Sequence, residues 1–224
     1  MKALLLLAFG GPRSLDEVEI FLTRLFKGRK PSPEQLARVK ERYRLIGGFS
    51  PLPEITWGQA KALEEKLNAK GYRFKSYVGM RYGHPLIEEI LSEILRDGLQ
   101  EVIAIPMAPF RSRASTGDYI EEVNRVQKNL REGIEIFFIE GWHLHPLFLE
   151  AVREKVREGI MEFDPEERKG VHLIFTAHSL PRSIIENEPY VKDMEKSVRG
   201  VLGKMETLPW YSAFQSRGMG LEEW

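Results

Sequence analysis

The residue best suited to chemistry in this chain is His178, which lies in the run Phe175-Thr176-Ala177-His178-Ser179-Leu180-Pro181. The apolar residues over 171–177 predict a short strand, and the proline after it predicts a turn. We therefore expect His178 at the carboxyl end of a strand, where open α/β sheets bind ligands. A neutral imidazole there can accept a proton or donate a lone pair to a metal near neutral pH. The other interpretation is a histidine that hydrogen bonds locally in a turn.

Other candidate segments follow predicted strands or precede predicted helices. They are Leu7-Ala8-Phe9-Gly10-Gly11-Pro12, Arg42-Tyr43-Arg44-Leu45-Ile46-Gly47-Gly48-Phe49-Ser50-Pro51-Leu52, Gly79-Met80-Arg81-Tyr82-Gly83-His84-Pro85 and Gln215-Ser216-Arg217-Gly218. Each of them is a weak motif when taken alone. Neither the glycine fingerprint of dinucleotide-binding folds nor a P-loop lysine motif is present, so the sequence disfavours a nucleotide-binding protein.

Two further segments each allow two interpretations. The loop over 109–116 carries two arginines at a predicted helix start, which is typical of an anion site, but we favour helix capping by Ser115 or Thr116. His143 and His145 form a His-x-His pair that would suit a metal if it lay on a strand. Pro146 follows at once, and this favours His145 as the start of a helix.

Composition excludes several classes of protein. Lys and Arg total 33 and Asp and Glu total 33, so the formal charge is zero and no basic field is available to bind nucleic acid. The absence of cysteine excludes disulfides, thiolate zinc sites, iron–sulfur ligation and CxxCH haem attachment. The apolar run at residues 2–9 predicts a buried parallel strand rather than a signal peptide. No stretch approaches the ~18 apolar residues of a membrane span, and we expect a cytoplasmic protein.

Strand-like and helical segments alternate along the chain. Strands are predicted over 2–9, 72–79, 101–107, 134–139, 171–177 and 208–214, and helices over 15–27, 33–45, 56–69, 85–97, 117–131, 146–162 and 188–203. This alternation indicates an α/β protein whose parallel sheets are flanked by helices. The polar run over 164–170 predicts a linker, which gives an N-terminal domain over 1–165 and a C-terminal domain over 166–224.

In their order and spacing, the segments described above resemble those of the ferrochelatases, which insert ferrous iron into porphyrins. The run that contains His178 is similar to the family signature, and the resemblance covers essentially all 224 residues. It implies two Rossmann-like, chelatase-type domains, the second of them incomplete in this chain. It also implies a lyase of haem biosynthesis that takes Fe²⁺ and protoporphyrin IX or coproporphyrin III as substrates, with no organic cofactor. We expect a monomer or a weak homo-oligomer.

The resemblance implies roles for His178 and for the helix over 15–27. His178 is either the base that removes the pyrrole protons or the residue that hands over the iron, and both roles stay open. Two groups of residues near the helix end are candidates for substrate contact. Leu22, Leu25 and Phe26 are candidate walls of the porphyrin site, and Lys27 and Arg29 are candidate partners of its propionates. The alternatives are ordinary core packing for the first group and solvated charges for the second.

Four more residues complete the predicted substrate site. Arg81 and Tyr82 follow a predicted strand, and the resemblance places polar site residues at these positions. Ser50 could contact a propionate through its hydroxyl, and Ser179 follows the candidate histidine directly. Phe9 departs from members of the family that carry an iron-ligating tyrosine at this position, because phenylalanine has no ligand atom.

The family glutamate that lies opposite the histidine has no counterpart in this chain, so we expect residues 1–224 alone to be a poor chelatase and prone to aggregate. One alternative function is a cobalt or nickel chelatase that acts on a sirohydrochlorin-type ring. Another is a non-catalytic porphyrin- or haem-binding protein, which the missing glutamate favours. Metal competition with defined tetrapyrroles and spectral titration would distinguish these possibilities.

Overall fold

A computed structural model describes residues 1–130, 133–203 and 208–216. The chain forms two compact units, the first comprising Met1–Met107 and Tyr119–Ile139, and the second Ala108–Asp118 and Glu140–Trp224. This division differs from the boundary predicted at residues 165/166. The reason is that the helix before the predicted linker packs within the second unit, where the Arg153 guanidinium donates to the carbonyls of Gly200 and Val201 at 2.7 Å each.

The first unit is built on a parallel sheet. Its strands are β1 (Lys2–Ala8), β2 (Phe74–Met80), β3 (Glu101–Pro106) and β4 (Glu135–Phe138), in the order β2-β1-β3-β4. β1 is buried from Ala3 to Ala8 because helices cover both faces of the sheet, which confirms the prediction for the apolar N-terminal run. After β2 the chain returns across β1 to form β3, so the carboxyl ends of β1 and β3 mark the topological switch point.

Among the residues that the structure describes, five helices accompany this sheet. They are α1 (Val18–Leu25), which a 3₁₀ turn over Leu15–Glu17 precedes, α2 (Pro33–Arg44), α3 (Leu52–Asn68), α4 (Ile87–Arg96) and α5 (Asp118–Gln127). Leu5, Leu91 and Val123 belong to the core on one face of the sheet. Leu6 and Ala60 belong to the core on the other face. This arrangement confirms an α/β unit in which a parallel sheet is covered by helices.

The second unit contains another parallel pair, β5 (Leu173–His178) and β6 (Trp210–Gln215). Its helices are α6 (Pro146–Met161), α7 (Arg182–Ile185) and α8 (Tyr190–Leu202), and a π-helical turn covers Arg113–Gly117. Within the residues that the structure describes, no helix combines the length and the apolar character that crossing a membrane requires.

Candidate functional site

His178 is the last residue of β5, which confirms the position predicted from the sequence. Its ring is exposed, and its Nδ1 atom lies 2.6 Å from the carbonyl oxygen of Ser179. A carbonyl can only accept a hydrogen bond, so Nδ1 carries the hydrogen and Nε2 holds the lone pair. The local backbone therefore leaves one nitrogen of the imidazole ready to accept a proton or to bind a metal.

The backbone after His178 is held by the neighbouring strand. The N–H of Ser179 donates to the carbonyl of Gln215 at 2.6 Å, and Ser179 is buried. The segment also borders a recess of about 280 Å³, which is lined by Ser179, Leu180, Arg182, Ile185 and Phe214. The structure thus places Ser179, a predicted substrate residue, between His178 and this recess.

In the first unit, Arg81 and Tyr82 follow β2 and pair with the end of β1. Their N–H groups donate to the carbonyls of Ala8 and Phe9 at 3.0 Å each. The Phe9 ring is 41% exposed, and its centroid lies 4.7 Å from that of Tyr82 and 6.3 Å from that of Phe21. The Arg81 guanidinium lies 4.8 Å from the Tyr82 ring centroid. An exposed aromatic surface with an adjacent cation therefore forms at the carboxyl end of β1.

Three sequence segments meet tightly beside this surface. A Cβ atom added to Gly10, which has φ +85°, would lie 2.6 Å from the nitrogen of Gly83, and one added to Gly11 would lie 2.4 Å from the Cβ of Ser50. The N–H of Ser50 donates to the carbonyl of Pro12 at 2.8 Å. The glycines of these motifs are thus required because backbone or a Cβ atom occupies the space that a side chain would need.

The Ser50 hydroxyl has a structural role in this arrangement. It accepts a hydrogen bond from the N–H of Leu52 at 3.3 Å, at the start of α3. A contact between Ser50 and a propionate stays a prediction.

The predicted wall residues on α1 differ in exposure. Leu22 is 4% exposed and packs in a core with Val18 and Phe21, as ordinary core packing requires. Leu25 and Phe26 are half-buried against that core, so part of each side chain remains at the surface.

The two cations that follow α1, Lys27 and Arg29, are exposed, and Lys27 adopts a positive φ of 53°. The Arg29 guanidinium lies 5.8 Å from the Phe26 ring centroid. Both cations are therefore accessible to a carboxylate, although a role in substrate binding stays a prediction for each.

His84, which the sequence did not single out for a role, connects α1 to the start of α4. Its Nε2 lies 3.0 Å from Arg24 Nη2, and its Nδ1 lies 3.0 Å from Glu89 Oε2. A guanidinium only donates, so Nε2 accepts and Nδ1–H donates to the carboxylate. Partial burial raises the pKa of Glu89, but hydrogen bonds from the Leu86 N–H and from His84 outweigh this effect and lower it below its ordinary value.

The loop over 109–116 does not match the favoured interpretation. Ser112, rather than Ser115 or Thr116, caps the helical turn, since its hydroxyl accepts from the N–H of Ala114 at 3.2 Å. The Arg113 N–H donates to the carboxylate of Glu188 at 3.0 and 3.1 Å. An acidic side chain of the same chain thus takes the N–H that the alternative interpretation assigned to an anionic ligand.

The family of this chain follows from its similarity to known proteins. The family model described as ferrochelatase matches residues 1–224. The chain belongs to the ferrochelatase family. It is 34% identical to the ferrochelatase of Herpetosiphon aurantiacus, with 99% of this chain and 73% of the relative aligned. It is 36% identical to the coproporphyrin III ferrochelatase of Oceanobacillus iheyensis, with 99% and 71% aligned, and 37% identical to the ferrochelatase of Deinococcus radiodurans, with 98% and 71% aligned.

The His-x-His pair does not form a metal site in this ferrochelatase family member. His145 is the N-cap of α6, and its Nδ1 accepts from the N–H of Leu147 at 3.3 Å. His143 is buried, and its Nε2 lies 3.5 Å from Asp193 Oδ1. Over residues 1–130, 133–203 and 208–216, no group of three or more His, Asp or Glu side chains is arranged to hold a metal ion. The structure therefore favours a structural interpretation of both histidines.

Sequence patterns did not single out Tyr190 as part of the site. Tyr190 donates a hydrogen bond to the carbonyl of His178 at 3.1 Å, yet its sequence context is that of an ordinary helix start. Gln215 and Ser216 of the late motif are described, and Gln215 pairs with His178 in the strand register. Arg217 and Gly218 lie outside the described residues.

Proposed function

We propose that this protein inserts Fe²⁺ into a porphyrin and that His178 carries out the proton or metal transfer. Family membership supports a metal-inserting lyase of haem biosynthesis. The observation that carries the residue assignment is the contact between His178 Nδ1 and the Ser179 carbonyl, because it leaves the Nε2 lone pair available.

Iron insertion requires that two pyrrole N–H protons leave and that the metal shed its water. A base about 3 Å from a pyrrole nitrogen can take one of these protons in the transition state. When His178 Nε2 accepts a proton, Nδ1–H still donates to the Ser179 carbonyl, so the imidazolium keeps its hydrogen-bond partner. The same lone pair on Nε2 would hold iron before transfer. Both candidate roles therefore need an Nε2 that carries no proton.

The substrate is a flat apolar disc with carboxylates at its edge, so it calls for exposed aromatic surface and accessible cations. In the first unit, the rings of Phe9 and Tyr82 offer such a surface, and the Arg81 guanidinium is adjacent to it. We assign contact with the macrocycle to these groups and to the half-buried Leu25 and Phe26.

The polar groups of the proposal are Lys27, Arg29, Ser50 and Ser179. We assign the propionates to the two cations and to the Ser50 hydroxyl, and a contact near the reacting centre to Ser179. We keep protoporphyrin IX and coproporphyrin III as alternative substrates; the relative from Oceanobacillus iheyensis is named a coproporphyrin III ferrochelatase. We propose no organic cofactor, a cytoplasmic location and a monomer or weak homo-oligomer.

The test of the proposal is the variant His178→Ala, made in the complete protein rather than in residues 1–224 alone. We expect kcat for iron insertion to fall by about 10²–10⁴-fold, the usual effect of removing a general base. The dissociation constant of the porphyrin, followed through its Soret band, should change by less than about twofold, because the lost interaction acts on the reacting centre. His172→Ala is the matched control, since His172 is also exposed in the same unit and stacks on Tyr211. A near-normal kcat in His178→Ala would refute the assignment.

A further inference from the structure

Tyr190, the first residue of α8, reaches back to the end of β5. Its hydroxyl donates to the carbonyl oxygen of His178 at 3.1 Å, and the residue is 6% exposed. Burial raises the pKa of this hydroxyl above its ordinary value. Tyrosine is protonated at neutral pH even without that shift, so the hydroxyl is a donor. A buried tyrosine whose only described hydrogen bond goes to the candidate catalytic residue is a candidate for functional rather than packing use.

The hydrogen bond acts on one peptide unit together with a second contact. The carbonyl of His178 and the N–H of Ser179 belong to the same planar peptide group. Tyr190 binds the carbonyl, and the carbonyl of Gln215 binds the N–H at 2.6 Å. Because both ends of this plane are held, the Cα atoms of His178 and Ser179, which carry the imidazole and the next carbonyl, keep their places in the strand end. This next carbonyl is the one that receives the Nδ1–H of His178.

Tyr190 itself is fixed by its neighbours in the second unit. Its ring packs edge-on against Phe110, with centroids 6.1 Å apart, and Phe110 also lies 5.8 Å from the ring of His143. The carbonyl of His143 accepts a hydrogen bond from the hydroxyl of Ser197 at 2.9 Å. The tyrosine therefore cannot rotate away from His178 without disturbing this aromatic contact.

Buried polar residues at helical spacing hold α8, the helix that begins with Tyr190, next to His143. Tyr190, Asp193 and Ser197 are all buried and lie three and four residues apart, so they share one face of the helix. Asp193 Oδ1 lies 3.5 Å from His143 Nε2. Buried polar groups are unfavourable unless they have partners, and the Lys196 ammonium donates to Asp193 Oδ1 at 3.3 Å. These contacts hold the face of α8 that carries Tyr190 against the segment at His143.

We propose that Tyr190 is a positioning residue that fixes the tautomer of His178. This inference rests on the proposed function of His178. The Tyr190 hydroxyl holds the peptide between His178 and Ser179, this peptide holds the Cα atom from which the Ser179 carbonyl extends, and the carbonyl keeps the hydrogen on Nδ1. The lone pair therefore stays on Nε2.

The experiment compares Tyr190→Phe with Tyr77→Phe, both made in the complete protein rather than in residues 1–224 alone. Tyr190→Phe removes only the hydroxyl and keeps the ring that packs on Phe110. Tyr77 is the matched control, because it is also a buried tyrosine whose hydroxyl forms a hydrogen bond, here to Asp97 in the first unit. Nitrogen-15 NMR of the histidine rings reports which nitrogen of His178 carries the hydrogen, and steady-state kinetics reports kcat and KM for iron insertion.

In Tyr190→Phe we expect the His178 ring to become a mixture of tautomers and kcat to fall about fivefold to tenfold, the change that corresponds to one lost hydrogen bond. The porphyrin dissociation constant should stay within about twofold. Tyr77→Phe should leave the His178 tautomer and kcat unchanged. Phe110→Leu keeps the hydroxyl but loosens its ring, so it should shift the tautomer in the same direction by a smaller amount.

The outcomes separate this inference from the proposed function. An unchanged Nδ1–H tautomer in Tyr190→Phe would overturn the positioning role, whatever happens to kcat. A mixed tautomer with reduced kcat would support both claims. A mixed tautomer with unchanged kcat would support the positioning role and count against His178 as the acting residue.

Discussion

A double-mutant cycle that enlarges Gly11 and shrinks Ser50 tests whether the backbone at Gly11 lies directly against Ser50 in the first unit. A Cβ atom on Gly11 would lie 2.4 Å from Ser50 Cβ and 2.5 Å from its Oγ, and the next atom is the Tyr43 hydroxyl at 3.6 Å. The φ of Gly11 lies outside the left-handed region, so alanine meets only this contact. Overpacking of this kind destabilises by about 1–3 kcal/mol, so Gly11→Ala should lower the free energy of unfolding by that amount.

The compensating change is Ser50→Gly, which removes both atoms that alanine would meet. Alone it removes the hydroxyl that accepts from the N–H of Leu52, and the loss of this one hydrogen bond should lower the free energy of unfolding by about 0.5–1.5 kcal/mol. In the double variant the clash is absent, so its stability should be close to that of Ser50→Gly. The coupling energy from the double-mutant cycle is then about 1–3 kcal/mol, well above the error of additivity, about 0.3–0.5 kcal/mol.

Urea unfolding of the four proteins measures this coupling directly. Gly58→Ala in α3 provides a control cycle, because a Cβ atom there meets nothing within 4 Å. It should raise stability by about 0.5–1 kcal/mol through helix propensity, and its effect should add to that of Ser50→Gly. Additive effects of Gly11→Ala and Ser50→Gly would refute the close approach of the opening turn to the serine loop.

Two further predictions concern stability. Burial and the hydrogen bond to Asp97 raise the pKa of Tyr77 to about 12. A group whose pKa is raised on folding adds stability below its unfolded pKa, about 10, and loses it as the pH rises through the folded value. Tyr77→Phe should therefore reduce the loss of stability between pH about 10 and about 12. Chemical denaturation across that pH range measures this loss, and an unaltered pH dependence would contradict the assignment. Arg153→Met removes the guanidinium that binds the carbonyls of Gly200 and Val201. It should lower the free energy of unfolding, measured by urea titration, by about 1.5–3 kcal/mol. A change below about 0.5 kcal/mol would show that these hydrogen bonds contribute little.

Local patterns in the sequence were enough for the elements that carry the site. The apolar run of β1 and the segment before His178 both form strands, because side-chain periodicity and flanking turn residues act over a few neighbouring positions. The predicted helix over 15–27 is shorter in the structure, with a 3₁₀ turn before α1. Helix ends depend on contacts outside the helix, which explains why such boundaries are the least predictable part of an element.

The division into units and the capping of the loop over 109–116 were not predictable in the same way. The polar run over 164–170 has the composition of a linker, yet α6 belongs with α8 through the contacts of Arg153. Ser112 took the capping role from its neighbours because its hydroxyl reaches the N–H of Ala114. Both outcomes depend on which groups meet in space, and composition does not report this.

By itself, the sequence determined that the protein is an α/β chain with parallel strands, that it resembles ferrochelatases, and that His178 ends a strand. These features follow from short-range periodicity and from the order of motifs along the chain. Only the tertiary structure decided how the backbone at the site is held. The hydrogen on His178 Nδ1 depends on the Ser179 carbonyl, and the peptide between these residues is held by Tyr190 and Gln215. Hydrogen bonds between residues distant in the chain depend on distances of a few tenths of an ångström, which packing sets and no local pattern encodes.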